Sequence, residues 1–175
     1  MGGANSDVSP RGKLRLLVQL LLGFIAGAIY PLAFAPFHFW PLTFASVAAL
    51  FWLLSRAQVW MPLIAWVFGL GKYAVGVSWI YVSIHEYGGA SPLLAGFMVA
   101  VFVAFMALFC LPIGWFLGNL KASNHNISNS VLAMGFVATW VLMEWMLTWF
   151  LTGFPWLFAG YSMLGTPLQG YAPVI

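Results

Sequence analysis

Residues 91–118 read SPLLAGFMVAVFVAFMALFCLPIGWFLG and contain no charged side chain. A helix of about 20 such residues is long enough to cross the hydrocarbon core of a bilayer. The whole chain is 63% apolar and 5% charged over 175 residues, whereas soluble domains carry about 25% charged residues. Lipid requires every backbone amide to be bonded within the protein, and the apolar runs do not alternate with polar residues. The sequence therefore predicts an all-α membrane protein.

Polar or proline-containing breaks divide the chain into about five transmembrane helices of one polytopic bundle, which occupies residues 16–175. A polar tail, residues 1–15, precedes them. A kink is expected near Pro112, an irregular segment follows the fifth helix, and a further span begins before Ile175. The five helices are predicted at residues 16–35, 41–54, 62–84, 92–118 and 130–150.

The basic residues predict how the bundle is oriented. When five spans are threaded through a membrane, the N-terminal tail, Arg56 and Lys121 fall on one side. Because basic loops stay in the cytoplasm, that side and the N-terminus are expected to be cytoplasmic. The basic residues form no dense patch, so the partner they indicate is membrane lipid and not a nucleic acid.

Lys72 and Glu144 are charged residues predicted to lie at membrane depth. Such a charge costs at least about 2.5 kcal/mol, so it usually marks a pair or a function. Counted from the cytoplasmic ends of their helices, the two residues differ in depth by about 5 Å. We therefore expect an intramembrane ion pair between them, with a proton or substrate path as the alternative.

Other candidates for chemistry have simpler explanations. Cys110 is the only cysteine, so it builds no disulfide, and with apolar neighbours it is expected to pack as a small hydrophobe. Ser83, His85 and Glu86 are too close in sequence to form a hydrolytic triad. The Gly23-x-x-x-Gly27 pattern favours close packing against another helix of the same chain. We expect no metal and no cofactor.

Three groups of residues carry a resemblance to a family. The first is Trp79-Ile80-Tyr81-Val82-Ser83-Ile84 followed by Gly88-Gly89. The second is Glu144 followed by Thr152-Gly153-Phe154-Pro155-Trp156 and Gly160-Tyr161-Ser162. The third, at the start, is Ala33-Phe34-Ala35-Pro36 with Trp40-Pro41. Together they cover nearly the whole chain, which resembles the membrane part of the bacterial apolipoprotein N-acyltransferases.

That resemblance implies a multi-pass protein of the bacterial inner membrane and an acyltransferase. Its substrates would be a phospholipid acyl donor and an apolipoprotein whose diacylglyceryl-cysteine amine accepts the acyl chain in lipoprotein biosynthesis. The family's catalytic Glu, Lys and Cys belong to a nitrilase-like α/β domain expected beyond Ile175, so no catalytic residue is expected in this chain and the chain alone is expected to be inactive. Leu147 stands where the family commonly has arginine. The alternative is a small non-enzymatic membrane protein, a transporter subunit or an assembly factor.

The outer ends of the helices are expected to form a mouth through which acyl chains enter. Aromatic rings favour the membrane interface and glycines permit close approach, although the same residues could be anchors and turn formers. The mouth candidates are Trp79, Tyr81, Gly88, Gly89, Phe154, Pro155 and Trp156.

The orientation can be tested with single cysteines at Asn126 and Gly89 in a Cys110→Ala background. We expect a membrane-impermeant thiol reagent to label position 89 and not position 126 in intact cells, because only the first is predicted to face outward. Labelling at position 126 would overturn this topology.

Overall fold

A computed structural model describes residues 10–124 and 126–170 of the chain, and these residues form helices and turns without any β-strand. Short 3₁₀ segments, Tyr30–Ala33, Leu108–Cys110, Phe150–Thr152 and Ala159–Met163, continue or connect the helices. The α-helices are α1 (Pro10–Ile29), α2 (Pro41–Arg56), α3 (Met61–Gly76), α4 (Trp79–Val82), α5 (Pro92–Ala107), α6 (Leu111–Ser123) and α7 (Asn129–Met146).

Helix starts follow local sequence chemistry. Proline occupies one of the first two positions of α2, α3, α5 and α6, where its missing N–H removes no helical hydrogen bond. Ser91 and Ser128 cap α5 and α7, and their side chains accept from the backbone N–H three residues later. Such caps satisfy donors that have no partner within the helix.

Three segments of the described chain are long and apolar enough to cross a membrane: Arg11–Ala33, Pro92–Ser123 and Asn129–Met146. The pair Met61–Gly76 and Trp79–Tyr87 is a fourth when counted as one bent span, and Pro41–Arg56 is a shorter apolar helix. The predicted class, a helical membrane bundle, is confirmed.

Two details of the predicted spans change. The first helix begins at Pro10, inside the segment predicted as a tail. The predicted helix 62–84 is broken after Gly76, and its two parts meet at 52°. The Trp156 indole N–H donates to the Gly76 carbonyl oxygen at 3.2 Å. A residue 80 positions away in the chain thus binds a carbonyl oxygen at the break. The further span expected before Ile175 lies beyond the described residues.

α3 lies at the centre of the bundle, and its contact with α1 is backbone against backbone. A Cβ added to Gly27 would meet the Phe68 carbonyl oxygen and lie 2.8 Å from the backbone nitrogen of Lys72. A Cβ on Gly71 would meet the Phe24 carbonyl oxygen in the same way. Glycine is therefore required at both positions, and Gly27 makes the intrachain packing that the Gly23-x-x-x-Gly27 pattern predicts.

Other small residues place α5 and α6 against α3. A Cβ on Gly69 of α3 would lie 2.9 Å from the Ala107 Cα atom of α5, and a Cβ on Gly114 of α6 would meet the Met61 backbone of α3. α7 completes the core with buried apolar side chains, which include those of Phe136, Trp140 and Met143.

The basic residues of three helices meet at one end of the bundle. The Arg15 guanidinium of α1 donates to the Arg56 carbonyl oxygen at the end of α2, at 3.2 Å. The Lys121 ammonium of α6 donates to three carbonyl oxygens at the same end, those of Leu54, Ser55 and Ala57, at 3.4, 2.9 and 2.7 Å. The three basic positions thus lie on one side, while the identity of that side stays a prediction.

The α1–α3 contact can be tested with Gly71→Ala. We expect a loss of about 1–3 kcal/mol of stability, because the added methyl group has no space and the backbones must separate. Thermal unfolding of the detergent-solubilised protein, followed by tryptophan fluorescence, measures the change.

The matched control is Gly96→Ala on α5, where an added Cβ would meet nothing within 4 Å. Alanine is a better helix former than glycine, so this variant should unfold at the same temperature or higher. Equal destabilisation by both substitutions would contradict the close packing.

Candidate functional site

A cavity of about 610 Å³ lies at the end of the bundle away from Arg56 and Lys121. Its walls come from residues 31–38, which follow α1, from residues 75–79 at the break after α3, and from residues 155–164. Most of the lining is apolar. No carboxylate, lysine or cysteine is among these lining residues. The hydroxyls of the two lining serines, Ser78 and Ser162, donate to backbone carbonyl oxygens three residues earlier, so neither is bonded to a base that could activate it.

Two tryptophans form an aromatic wall of this cavity. The rings of Trp79 and Trp156 lie 5.6 Å apart, and both side chains are half exposed. The hydrogen bond from Trp156 to the Gly76 carbonyl oxygen holds the indole against the end of α3. The exposed ring faces are therefore positioned before any ligand arrives.

The structure brings together only part of the predicted mouth. Trp79, Pro155 and Trp156 line the cavity, and Phe154 packs behind them with its ring 6.3 Å from that of Trp156. Three candidates, Tyr81, Gly88 and Gly89, are absent from its walls.

Tyr81, Gly88 and Gly89 lie outside the cavity walls because the chain bends after Gly76. The bend places α4 and the π-helical turn Ser83–Tyr87 beside α5. The Tyr81 ring packs on His85 at 5.6 Å. Gly89 has φ +68° and belongs to the turn before α5, so it serves chain reversal.

Sequence reasoning missed the wall that follows α1. The 3₁₀ turn Tyr30–Ala33 and the loop that reaches His38 contribute a large share of the cavity lining. Ser162 and Leu164 were missed as well. The available signal was the cluster of aromatic residues and prolines around Pro36, which indicated a turn but not its place beside Trp156.

The segment that carries Trp156 is fixed to three helices. The Tyr30 hydroxyl donates to the Leu157 carbonyl oxygen at 3.2 Å. The Ala159 N–H donates to Glu144 Oε1 of α7 at 2.8 Å. The Thr43 hydroxyl of α2 donates to the buried Ser162 hydroxyl oxygen at 2.7 Å. These bonds, which link residues distant in sequence, hold an irregular segment as a cavity wall.

Lys72 is completely buried near this segment, and its ammonium nitrogen has no hydrogen-bond partner among the described residues. Three aromatic rings surround the nitrogen instead. It lies 4.7 Å from the Tyr30 ring centre, 5.2 Å from that of Trp140 and 5.3 Å from that of Tyr73. Aromatic faces attract cations, most strongly where water is excluded.

The predicted direct ion pair between Lys72 and Glu144 is wrong, because Trp140 lies between them. Glu144 Oε1 accepts from the Trp140 indole N–H at 3.0 Å, and the Lys72 nitrogen lies over the face of the same indole. Matching two depths along helices does not specify which way each side chain turns. In residues 10–124 and 126–170 the one ion pair is His85–Glu86, with 3.8 Å between Nε2 and Oε1.

Neither Cys110 nor Ser83 is placed as an activated nucleophile. Cys110 is buried, and its Sγ lies 3.8 Å from the Met143 sulfur. The Ser83 hydroxyl donates to the Trp79 carbonyl oxygen at 3.4 Å, within its own helix. His85 Nδ1 lies 2.8 Å from the Ala90 carbonyl oxygen. Within the described part of the chain no three His, Cys, Asp or Glu side chains lie close enough to hold a metal ion.

The fold and the site together define a helical membrane domain with an aromatic cavity at one end. The sequence matches the family model described as "Apolipoprotein N-acyltransferase N-terminal domain" over residues 26–175. The chain belongs to this family.

Curated relatives agree with that assignment. The chain is 45% identical over 159 residues to the apolipoprotein N-acyltransferase of Pseudomonas paraeruginosa (strain DSM 24068 / PA7), a match that covers 88% of this chain and 30% of the relative. It is 46% identical over 156 residues to that of Pseudomonas syringae pv. tomato (88% and 30%). It is 39% identical over 161 residues to that of Vibrio cholerae serotype O1 (91% and 31%). The chain thus spans about 30% of the length of these relatives.

The coupling of Lys72 to Glu144 through Trp140 can be tested by a mutant cycle. Lys72→Met and Glu144→Gln should each lower the unfolding temperature. Each substitution removes the charge at one end of the Lys72–Trp140–Glu144 contact and keeps a side chain of similar volume. The double variant should lose about 0.5–3 kcal/mol less than the sum of the single losses.

Repeating the cycle with Trp140→Phe supplies the control. Phenylalanine keeps a ring beside the lysine but removes the N–H that reaches Glu144, so the two substitutions should become additive. Additivity already present with tryptophan would refute the coupling.

Proposed function

We propose that this chain is the membrane part of an apolipoprotein N-acyltransferase of the bacterial inner membrane. The reaction transfers an acyl chain from a phospholipid to the N-terminal amine of a diacylglyceryl-cysteine apolipoprotein. Membership of the family supports this proposal, and it disfavours the transporter subunit or assembly factor. We assign the N-terminus to the cytoplasm, because the positions of the basic residues favour that side.

The observation that carries the proposal is the aromatic cavity at the end of α1 and α3. Its volume of about 610 Å³ lies within the usual range of small-molecule sites, about 300–1,000 Å³. Apolar walls beside membrane-crossing helices suit an acyl chain. Trp79, Pro155 and Trp156 are the residues we assign to the mouth, with the loop that precedes His38 as the facing wall.

This cavity supports binding and not bond making. Covalent acyl transfer needs an activated nucleophile, a base and a group that stabilises the oxyanion. Cys110 is buried against Met143, away from the residues that line the cavity. The chain spans about 30% of its relatives' length, so we assign the catalytic Glu, Lys and Cys that the family resemblance implies to the rest of the enzyme, and we give this chain two tasks. It anchors that part at the membrane and leads acyl chains to it.

A chimera can test this division of labour. The chain replaces the matching segment of the Pseudomonas paraeruginosa relative, and acyl transfer from labelled phospholipid to a diacylglyceryl-cysteine peptide is measured. We expect Trp156→Ala to lower kcat/KM about tenfold, which is about 1.4 kcal/mol of lost interaction, because the acyl chain loses an aromatic wall. Cys110→Ala should leave the rate unchanged.

Trp115→Ala is the matched control, because Trp115 is an exposed tryptophan on α6 that does not line the cavity. Thermal unfolding separates lost folding from lost transfer. Equal losses from Trp156→Ala and Trp115→Ala would contradict the role of the mouth. An acyl thioester trapped on Cys110 would refute the assignment of the nucleophile elsewhere.

A further inference from the structure

A second groove, of about 470 Å³, lies between α1 and α2 at the basic end of the bundle. Its walls are of two chemical kinds. Leu14, Val18 and Leu22 of α1, with Trp52 and Leu53 of α2, supply apolar surface, and Gln19 also contributes. The cationic side chains are Arg11, Arg15 and Arg56.

The two kinds of residue overlap near Leu14 and separate farther along α1. Leu14, Val18 and Leu22 recur every four residues, so they form one stripe that is about 12 Å long at about 1.5 Å per residue. Arg11 and Arg15 lie at the first turns of α1, and Arg56 ends the adjacent helix. The groove is therefore cationic at the end of the bundle and apolar toward the membrane interior.

The structure holds two of the three arginines, Arg15 and Arg56, at the groove. Arg15 donates to the Arg56 carbonyl oxygen at 3.2 Å, and the Arg56 guanidinium carbon lies 4.7 Å from the Trp52 ring centre. Each contact leaves other guanidinium N–H groups free to bind an anion, since the group has five. The N-terminus of α1, where Arg11 lies, also favours negative charge.

No carboxylate of the described residues compensates this charge. Glu86 lies 3.8 Å from His85, and Glu144 accepts from Trp140 and Ala159. The third acidic residue of the chain, Asp7, lies outside the described residues. Arginine clusters beside membrane helices attract anionic lipid headgroups, and basic pockets between such helices bind them.

We propose that this groove binds an anionic phospholipid, with its phosphate on the arginines and one acyl chain along Leu14, Val18 and Leu22. Charge complementarity selects an anion, and the apolar stripe selects a lipid over a soluble anion. Leu14 is 62% exposed and Trp52 48% exposed beside a helix that is long enough to cross a membrane. Beside such a helix, exposed apolar side chains contact lipid acyl chains and not water. The site lies at the other end of α1 from the aromatic cavity and does not depend on acyl transfer.

The test uses quenching of Trp52 by brominated lipid in nanodiscs that contain the intact chain. One set of phosphatidylcholine discs contains a small fraction of phosphatidylglycerol brominated in its acyl chain. The other set contains the same fraction of brominated phosphatidylcholine. The difference between the chain and its Trp52→Phe variant isolates the Trp52 signal. We expect phosphatidylglycerol to quench Trp52 at lower fractions than phosphatidylcholine, and Arg11→Gln or Arg56→Gln each to weaken this preference about fivefold.

Lys13→Gln is the matched control. It removes one positive charge from the same helix, but Lys13 does not line the groove, so the lipid preference should remain. If Lys13→Gln weakened the preference for phosphatidylglycerol as much as Arg11→Gln does, the effect would be general charge attraction, and the proposal would be overturned.

Two further results would also overturn the proposal. Equal quenching by the two lipids would mean ordinary bilayer contact. Displacement of brominated phosphatidylglycerol by inorganic phosphate as effectively as by unbrominated phosphatidylglycerol would mean that the acyl chain adds nothing to binding. Arg11→Gln keeps the test valid if Arg56→Gln fails to fold, because Arg11 is exposed at the start of α1.

Discussion

The rest of the structure depends on the backbone contact between α1 and α3. Helices in lipid gain little from hiding apolar surface, so close packing has to hold them together. Gly27 and Gly71 allow each helix to lie against a carbonyl oxygen of the other. Lys72 directly follows Gly71, and Tyr30 follows Gly27 by one turn. The same contact therefore positions the aromatic enclosure of the buried ammonium and the start of the cavity wall.

The Lys72 arrangement connects the bundle interior to the cavity without a direct ion pair. A lone charge at membrane depth is costly. Here three ring faces surround the Lys72 nitrogen, and one of those rings, Trp140, donates its N–H to Glu144. Glu144 uses the same oxygen to accept from Ala159. One carboxylate thus serves both the buried cation, through Trp140, and the segment that carries Trp156. Charge inside the bundle and the shape of its aromatic end are parts of one network.

Composition and local signals predicted the class of fold and most helix starts, because apolar length and proline position act over a few residues. The grouping of Arg56 and Lys121 at one end was also predictable, since it follows from counting spans. The break after Gly76 was not, because the residue that binds its carbonyl oxygen, Trp156, is 80 positions away. The Lys72–Glu144 prediction failed for a related reason. Helix rotation and the ring of Trp140 are set by packing, and residue spacing does not report them.

Lys121 completes the end of α2 from a position much later in the chain. The carbonyl oxygens at the end of α2 are synthesised early, and a helix end leaves such groups without partners inside the helix. Their partner in the finished protein is an ammonium that lies 64 residues beyond Ala57 in the chain. Until α6 has been made and inserted, water must serve those oxygens, so the turn between α2 and α3 is completed only when a later helix reaches it. The turn between α2 and α3 therefore gains these hydrogen bonds only after α6 is present.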